Sequence, residues 1–514
     1  MNGAESLVRT FVGGGVNVCF ANPGTSEMHF VAALDRVEGM RCVLGLFEGV
    51  VTGAADGYAR MTGNPALTLL HLAPGLGNGL ANLHNASRAH SPIVNVIGDH
   101  ATYHKQYDAP LNGDIEAVAR PYSKWLRTST GAADIGRDGA EAVAAARTPP
   151  GQIATLILPA DTAWSEGGEV AKVPSPPLPQ PPPEEAVDTA ARLLRNGRPT
   201  AILLGGAALR GDALLSAGRI AAACGATLFA SYSVARMERG VGRVAVERIP
   251  YVIDQALARL AGFPQMILVG APPPVAFFAY PEKPSVVTPA GCEIHRLAEP
   301  QHDLAAALAA VAEAVGAART PPVLSERAST APPTGKVTLP GLAAVIAALI
   351  PEDAIVIDES VTSGRGLLPA TSGSVPHDWL VNTGGSIGIA LPLAVGAAVA
   401  CPDRRVLCLE ADGSGMYTLQ ALWTMAREGL NVTTVVFANR SYNILKSELA
   451  NVGAGNPGRK ALDMLEIGHP DLDWCRLTTG MGVPASLATD LDSFHAALAK
   501  GLRTDGPTLI ELVL

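Results

Sequence analysis

The chain has 514 residues, 48% hydrophobic and 17% charged, with 54 glycines and 40 prolines. At roughly 100–200 residues per domain this length calls for about three domains, and the Gly and Pro content stays below the roughly 25–30% typical of low-complexity disorder. A formal net charge of −9 with no Lys/Arg run excludes a nucleic-acid footprint or a basic membrane patch, so any bound phosphate must be held by backbone, hydroxyls or a metal.

The seven cysteines (Cys19, Cys42, Cys224, Cys292, Cys401, Cys408, Cys475) are scattered and form no C-x-x-C pair, which predicts buried free thiols in a reducing compartment. The start MNGAESLVRTF lacks a signal-peptide pattern and no run of about 18 apolar residues occurs, so a soluble cytoplasmic protein is expected.

Two Pro-rich stretches divide the chain. Residues 174–185 carry seven prolines in twelve positions and predict an extended spacer; 320–336 is polar and broken by two Pro pairs. Domains are therefore expected at 1–170, 186–320 and 337–514. In chain order, 65–72 and 93–98 predict buried strands around a helix at 75–88. Residues 200–204 and 265–269 predict strands of the middle block, and 354–357, 405–409 and 433–437 those of the last. Strands alternating with Ala-rich helices imply an α/β protein of parallel sheets flanked by helices, with ligands held beyond the carboxyl ends of the strands.

The segment 406–445, VLCLEADGSGMYTLQALWTMAREGLNVTTVVFANRSYNIL, is the most informative. A strand ends at Asp412-Gly413-Ser414, a helix follows, and a second strand ends at Asn439. A βαβ crossover brings both strand ends to one sheet edge, where a carboxylate and an amide oxygen can share a hard cation such as Mg²⁺. Gly413 and Ser414 at a helix start offer N–H and hydroxyl groups to a phosphate. Taken alone, an N-cap Asp and an unrelated loop Asn would fit these residues equally well.

This segment resembles the G-D-G…N-N motif of the thiamine-diphosphate enzymes that include benzoylformate decarboxylase and acetohydroxyacid synthase, with Ala411 in place of the first Gly and Arg440 after a single Asn. Three further stretches are similar to benzoylformate-decarboxylase-like patterns. They are Asn22-Pro23-Gly24-Thr25-Ser26-Glu27, the E-x₆-A-D-G-Y-A element from Glu48 with the His71 segment LHLAPGLGNGLANLH, and Gly384-Gly385-Ser386-Ile387-Gly388 running on to Pro392.

The resemblance implies three domains: one binding the pyrimidine of thiamine diphosphate, a middle domain, and one binding the diphosphate and Mg²⁺. It implies Asp412, Asn439 and the Ser441 carbonyl as metal ligands. Thr362, Gly413 and Ser414 would contact the diphosphate, with Pro23, Gly24, Gly385, Tyr442, Asn443 and Ile444 also lining the cofactor. Glu48 would bond the pyrimidine N1′, sharing its proton with the ring, and Ile387 would support the bent cofactor. His71 aligns with an active-site histidine and Thr25 with a substrate-binding serine. His100 and His104, just after a strand, are further candidates for proton transfer.

Two departures bear on the reaction. Where benzoylformate decarboxylase has a second catalytic His, GAPPPVAFFAYPEKP supplies Phe277 and Phe278. The flavin element G-x-R-F-D-D-R of acetohydroxyacid synthase is missing, so no FAD is expected. The reading is decarboxylation of a 2-oxo acid, with aldehyde release or carboligation. The enzyme would be a homodimer or homotetramer with active sites at subunit interfaces, and neither nucleic acid nor membrane is a partner. The alternatives are a 2-hydroxyacyl-CoA lyase-like enzyme, for which no basic cluster is evident in the sequence, a flavin-dependent oxidase, or a catalytically silent cofactor-binding protein.

Overall fold

The apolar runs form strands, several carrying a buried polar residue within them, in a computed structural model that describes residues 1–328 and 331–514. Ser329 and Thr330, within the second Pro-rich linker, lie outside the described residues.

The first sheet has six parallel strands in the order Arg41–Leu44, Val18–Asn22, Ala66–Leu70, Ile93–Asp99, Ile153–Pro159 and Trp125–Thr128. The second has five parallel strands, Glu247–Arg248, Thr227–Ala230, Thr200–Leu204, Gln265–Val269 and Glu293–Ala298. The third runs Ala485–Ala488, Thr508–Val513, Val432–Ala438, Val406–Ala411, Ala354–Glu359, His377–Val381 and Met237–Arg239, the last being antiparallel. Central strands such as Ala66–Leu70 and Thr200–Leu204 are buried throughout, because helices cover both faces of each sheet.

The third sheet differs from the expected division of the chain, since Met237–Arg239 comes from the middle stretch. Packing explains the pairing. Met237 and Trp379 lie opposite one another and are both buried, while the Arg239 guanidinium lies 5.2 Å from the Trp379 ring centroid. This short strand covers an edge that His377–Val381 would otherwise leave open.

The expected strand 65–72 ends at Leu70, and the helix expected at 75–88 begins at Leu72 and runs to Ala89. The spacer 174–185 gives way to a helix at Glu184. All seven cysteines are free. Only Cys19 and Cys408 are fully buried, and Cys42 is exposed at the margin of an edge strand, which corrects the expectation of uniformly buried thiols. Among the described residues no helix is long and apolar enough to cross a membrane.

The two terminal sheets are joined through helices Glu48–Thr62 and Ala390–Ala400, whose small residues let their backbones touch. A Cβ on Gly57 would overlap the Leu393 carbonyl, one on Gly396 would overlap the Ala54 carbonyl, and one on Gly53 would lie 2.6 Å from Pro392 Cβ. Buried inside this contact, Arg60 pairs with Asp56 at 2.6 Å and donates to the Val381 carbonyl at 2.7 Å, tying the first helix to the third sheet.

Candidate active site

Parallel strands place every residue that follows them at one edge of their sheet. In the first sheet Pro23–Glu27 follow Val18–Asn22, Glu48 follows the turn after Arg41–Leu44, His71 follows Ala66–Leu70, and His100 follows Ile93–Asp99. Glu48 is 7% exposed, opens its helix, and accepts a bond from Asn78 Nδ2 at 3.0 Å. A Cβ on Gly75 would lie 3.2 Å from Glu48 Oε1 and 3.4 Å from His71 Cβ, so the two side chains flank this glycine.

The His71 ring is held by Glu27, with Nδ1 and Oε2 2.8 Å apart. Glu27 also accepts the Gly24 N–H at 2.7 Å, and burial pushes its carboxyl above the ordinary range. Thr25 opens a short 3₁₀ turn and is exposed. His100 and His104 reach the same sheet edge but do not join this group: His100 Nε2 lies 3.0 Å from the Pro110 carbonyl, and the two rings sit 5.6 Å apart on the surface loop.

In the third sheet, Thr362, the loop Gly384–Gly388, Asp412 and Asn439 all follow the carboxyl ends of parallel strands. Asp412 is 2% exposed, accepts the Gly413 N–H at 2.9 Å and the Arg440 N–H at 2.6 Å, and has its carboxyl pushed up to about 6 by burial. Asn439 Oδ1 accepts the Ser441 N–H at 3.0 Å. Ala411, where the motif has Gly, is extended with φ −89°, so its Cβ is tolerated. Arg440 has φ +57°, a left-handed backbone better suited to the Asn of the usual motif. Gly413 leaves space for the Tyr442 ring, since a Cβ there would stand 2.5 Å from it. Tyr442 and Ile444 are half-buried at the start of the following helix, and Asn443 is exposed. The Ser414 hydroxyl is turned to Glu410.

A Mg²⁺ ion with thiamine diphosphate fits these residues. The donors would be hard oxygens from a carboxylate, an amide and a backbone carbonyl, and the buried Asp412 has no Lys, Arg or His at ion-pair distance among the described residues. A cation would supply the missing counter-charge.

The loop carrying Ile387 is fixed from both sides. Glu359 Oε2 accepts the N–H groups of Gly388, Ile389 and Ala390 at 3.1, 2.8 and 3.0 Å. Asn85 of the first sheet's helix bonds both the N–H and the carbonyl of Ser386, at 3.2 and 2.8 Å, and His84 Nε2 lies 3.0 Å from the Gly384 carbonyl. Gly385 (φ +80°) faces the Phe277 ring 2.7 Å from where a Cβ would stand. A cleft of about 650 Å³ is lined by the clustered rings of Phe277, Tyr232 and Tyr251 and by Arg88, His90 and Lys124.

Glu27, Asn78, Asn85 and Glu359 were not assigned roles from the sequence. Glu27 stands inside a recognisable motif, but its partner lies 44 residues away, and the N–H groups that Glu359 accepts are 29 to 31 residues distant. Among the described residues no hydrogen bond or ion pair joins Glu48 or His71 to Asp412 or Asn439 within the chain.

Two groups of polar residues thus gather at the carboxyl edges of parallel sheets, one with a buried acid beside a histidine and one with a buried Asp beside an Asn, where α/β folds place their ligands. Residues 1–118 match the thiamine pyrophosphate enzyme N-terminal TPP binding domain and 370–512 the C-terminal TPP binding domain. A Mycobacterium tuberculosis protein provisionally named acetolactate synthase large subunit IlvX is 54% identical over all of this chain and 99% of its own. Benzoylformate decarboxylase of Pseudomonas aeruginosa is 30% identical, the match covering 97% of this chain and 96% of that one. The solved 4-hydroxybenzoylformate decarboxylase of Rhodococcus jostii superposes with a TM-score of 0.86 at 25% identity, over 99% and 98% of the two chains. The chain belongs to the thiamine pyrophosphate enzyme family of acetolactate synthases and benzoylformate decarboxylases.

Proposed function

We propose that this enzyme uses thiamine diphosphate and Mg²⁺ to decarboxylate a 2-oxo acid, R–CO–COO⁻ + H⁺ → R–CHO + CO₂, or to pass the acyl unit to a second carbonyl. The observation that carries the reading is the placement of Asp412 and Asn439 at the ends of adjacent parallel strands, with a buried Glu48 at the matching edge of the other sheet. When bound, the cofactor supplies the electron sink for cleavage of the bond next to the carbonyl. Asp412, Asn439 and the Ser441 carbonyl hold the cation, and Glu48 bonds the pyrimidine ring and holds a proton there. Ile387, on its doubly pinned loop, would support the cofactor. His71 exchanges a proton with the substrate-derived group, and Thr25 orients the substrate carboxylate.

As in the family it resembles, where the two ends of the cofactor are held by different subunits, the enzyme would be a homodimer or homotetramer with Glu48 of one chain and Asp412 of another at each site. With Phe277 and Phe278 in place of a second histidine, proton exchange with the substrate falls to His71. An assay of CO₂ release over a panel of 2-oxo acids, with aldehyde and acyloin products separated, tests the reading. Release that depends on both thiamine diphosphate and Mg²⁺ supports it; no release from any 2-oxo acid overturns it.

A second reading, a 2-hydroxyacyl-CoA lyase, is favoured by one feature. The fold gathers Arg88, His90 and Lys124 in the cleft that Tyr232, Tyr251 and Phe277 also line, a basic cluster not evident in the linear sequence. Cleavage of a 2-hydroxyacyl-CoA, with no turnover of 2-oxo acids, would select it.

A further inference from the structure

We propose that Glu27 is a positioning residue that fixes the His71 ring with Nδ1 protonated and Nε2 free to take and return a proton; the proposal rests on the reading of this site as a 2-oxo acid decarboxylase. Glu27 is 1% exposed, and one of its oxygens carries two bonds: Oε2 accepts from the Gly24 N–H at 2.7 Å and lies 2.8 Å from His71 Nδ1. A carboxylate is an acceptor only, so Nδ1 must be the donor and the proton of a neutral imidazole is confined to that nitrogen.

Three separate chain segments make this arrangement possible. A Cβ on Gly24 would overlap the His71 ring, and one on Gly98, at the end of a different strand, would overlap Glu27 Oε1. Both positions must stay bare for the carboxylate and the ring to meet. The residue after His71, the buried Leu72, takes φ +50°, a backbone conformation that costs a bulky side chain energy and occurs where surrounding structure enforces it. The ring is thereby held from its side chain and its backbone at once. Glu27 Oε1 has no hydrogen-bond partner among the described residues. A carboxylate kept purely for stability would be expected to use both oxygens, whereas one placed to orient a ring needs only the bonded one.

The experiment is ¹⁵N NMR of the full-length enzyme labelled at histidine, the His71 signals being assigned with His71→Asn, alongside steady-state kinetics and thiamine diphosphate titration followed by tryptophan fluorescence. In the wild type His71 shows the Nδ1–H form. In Glu27→Ala the proton moves toward Nε2, the form favoured by a free imidazole. At the same time kcat falls by about 10²-fold, the scale of a lost acid–base group, with KM and cofactor affinity little changed. Glu27→Gln, whose amide oxygen can still accept from Nδ1 and Gly24, retains the Nδ1–H form and recovers most of kcat, which separates positioning from loss of fold. An unchanged tautomer in Glu27→Ala overturns the proposal, and so does a changed tautomer with unchanged kcat. If the wild type turns over no 2-oxo acid, the functional reading fails, and the tautomer measurement still decides whether Glu27 holds His71.

Discussion

The Arg440 N–H donates to Asp412 Oδ2 at 2.6 Å, linking the residues that follow two adjacent parallel strands. This bond requires Arg440 to turn with φ +57°, a conformation that disfavours a side chain with a Cβ. Arg440→Gly should therefore stabilise the protein by about 1 kcal/mol, since the Arg440–Asp471 pair that it removes is half exposed on both sides and contributes little. Chemical denaturation of the two proteins measures the difference.

Asp412 supplies the one carboxylate of the proposed cation site. Asp412→Asn keeps the shape and removes the charge, so thiamine diphosphate should bind at least about tenfold more weakly in the presence of Mg²⁺. Chelation of Mg²⁺ with EDTA should reduce wild-type binding in the same way. Isothermal titration checks both, and unchanged affinity in either case would remove Asp412 from the site.

The Asp56–Arg60 pair is buried on both sides, with side-chain exposures of 0% and 1%. Asp56→Ala would leave a guanidinium sealed between the two terminal sheets without its counter-ion, a loss of about 3–5 kcal/mol. Urea titration should show this as a lower midpoint at an unchanged slope.

Burial pushes the Glu359 carboxyl up to about 7, although three backbone N–H groups and Asn382 bond it. A carboxyl raised in the folded state holds its proton longer than the unfolded chain does, so folding stability is lost as pH rises from about 4.5 to about 7 and levels off above that range. Glu359→Gln cannot ionise. Between pH 5 and pH 8 the wild type, without cofactor, should lose more stability than Glu359→Gln, by an amount on the order of a few kcal/mol. Equal losses in the two proteins would contradict the assignment.

Much of this architecture can be read from residues 200–204 and 265–269, whose β-branched and leucine-rich runs became strands with the expected bounds. Parallel strands follow from such runs alternating with helices, and with them the sheet edges where Glu48, His71, Asp412 and Asn439 lie. Contacts between distant segments could not be read this way. The grip of Glu359 on the Ile387 loop, that of Glu27 on His71, and the transfer of Met237–Arg239 to the third sheet depend on tertiary packing that no local pattern encodes. The basic lining of the cleft is hidden in the sequence for the same reason, since a strand and the loop after it separate Lys124 from Arg88 and His90. Leu72 closes an apolar run that predicts a strand to 72, whereas the strand ends at Leu70 and Leu72, with a left-handed backbone, opens the helix.

The central claim is that Glu48, at the edge of the first sheet, activates a cofactor whose diphosphate is held at the edge of the third. The most direct measurement is CO₂ release from the 2-oxo acid that the wild type turns over best, compared between wild type and Glu48→Gln, with thiamine diphosphate binding measured on the same samples. The account predicts that Glu48→Gln still binds the cofactor but releases CO₂ at least about 10²-fold more slowly. Turnover at the wild-type rate in Glu48→Gln would contradict it.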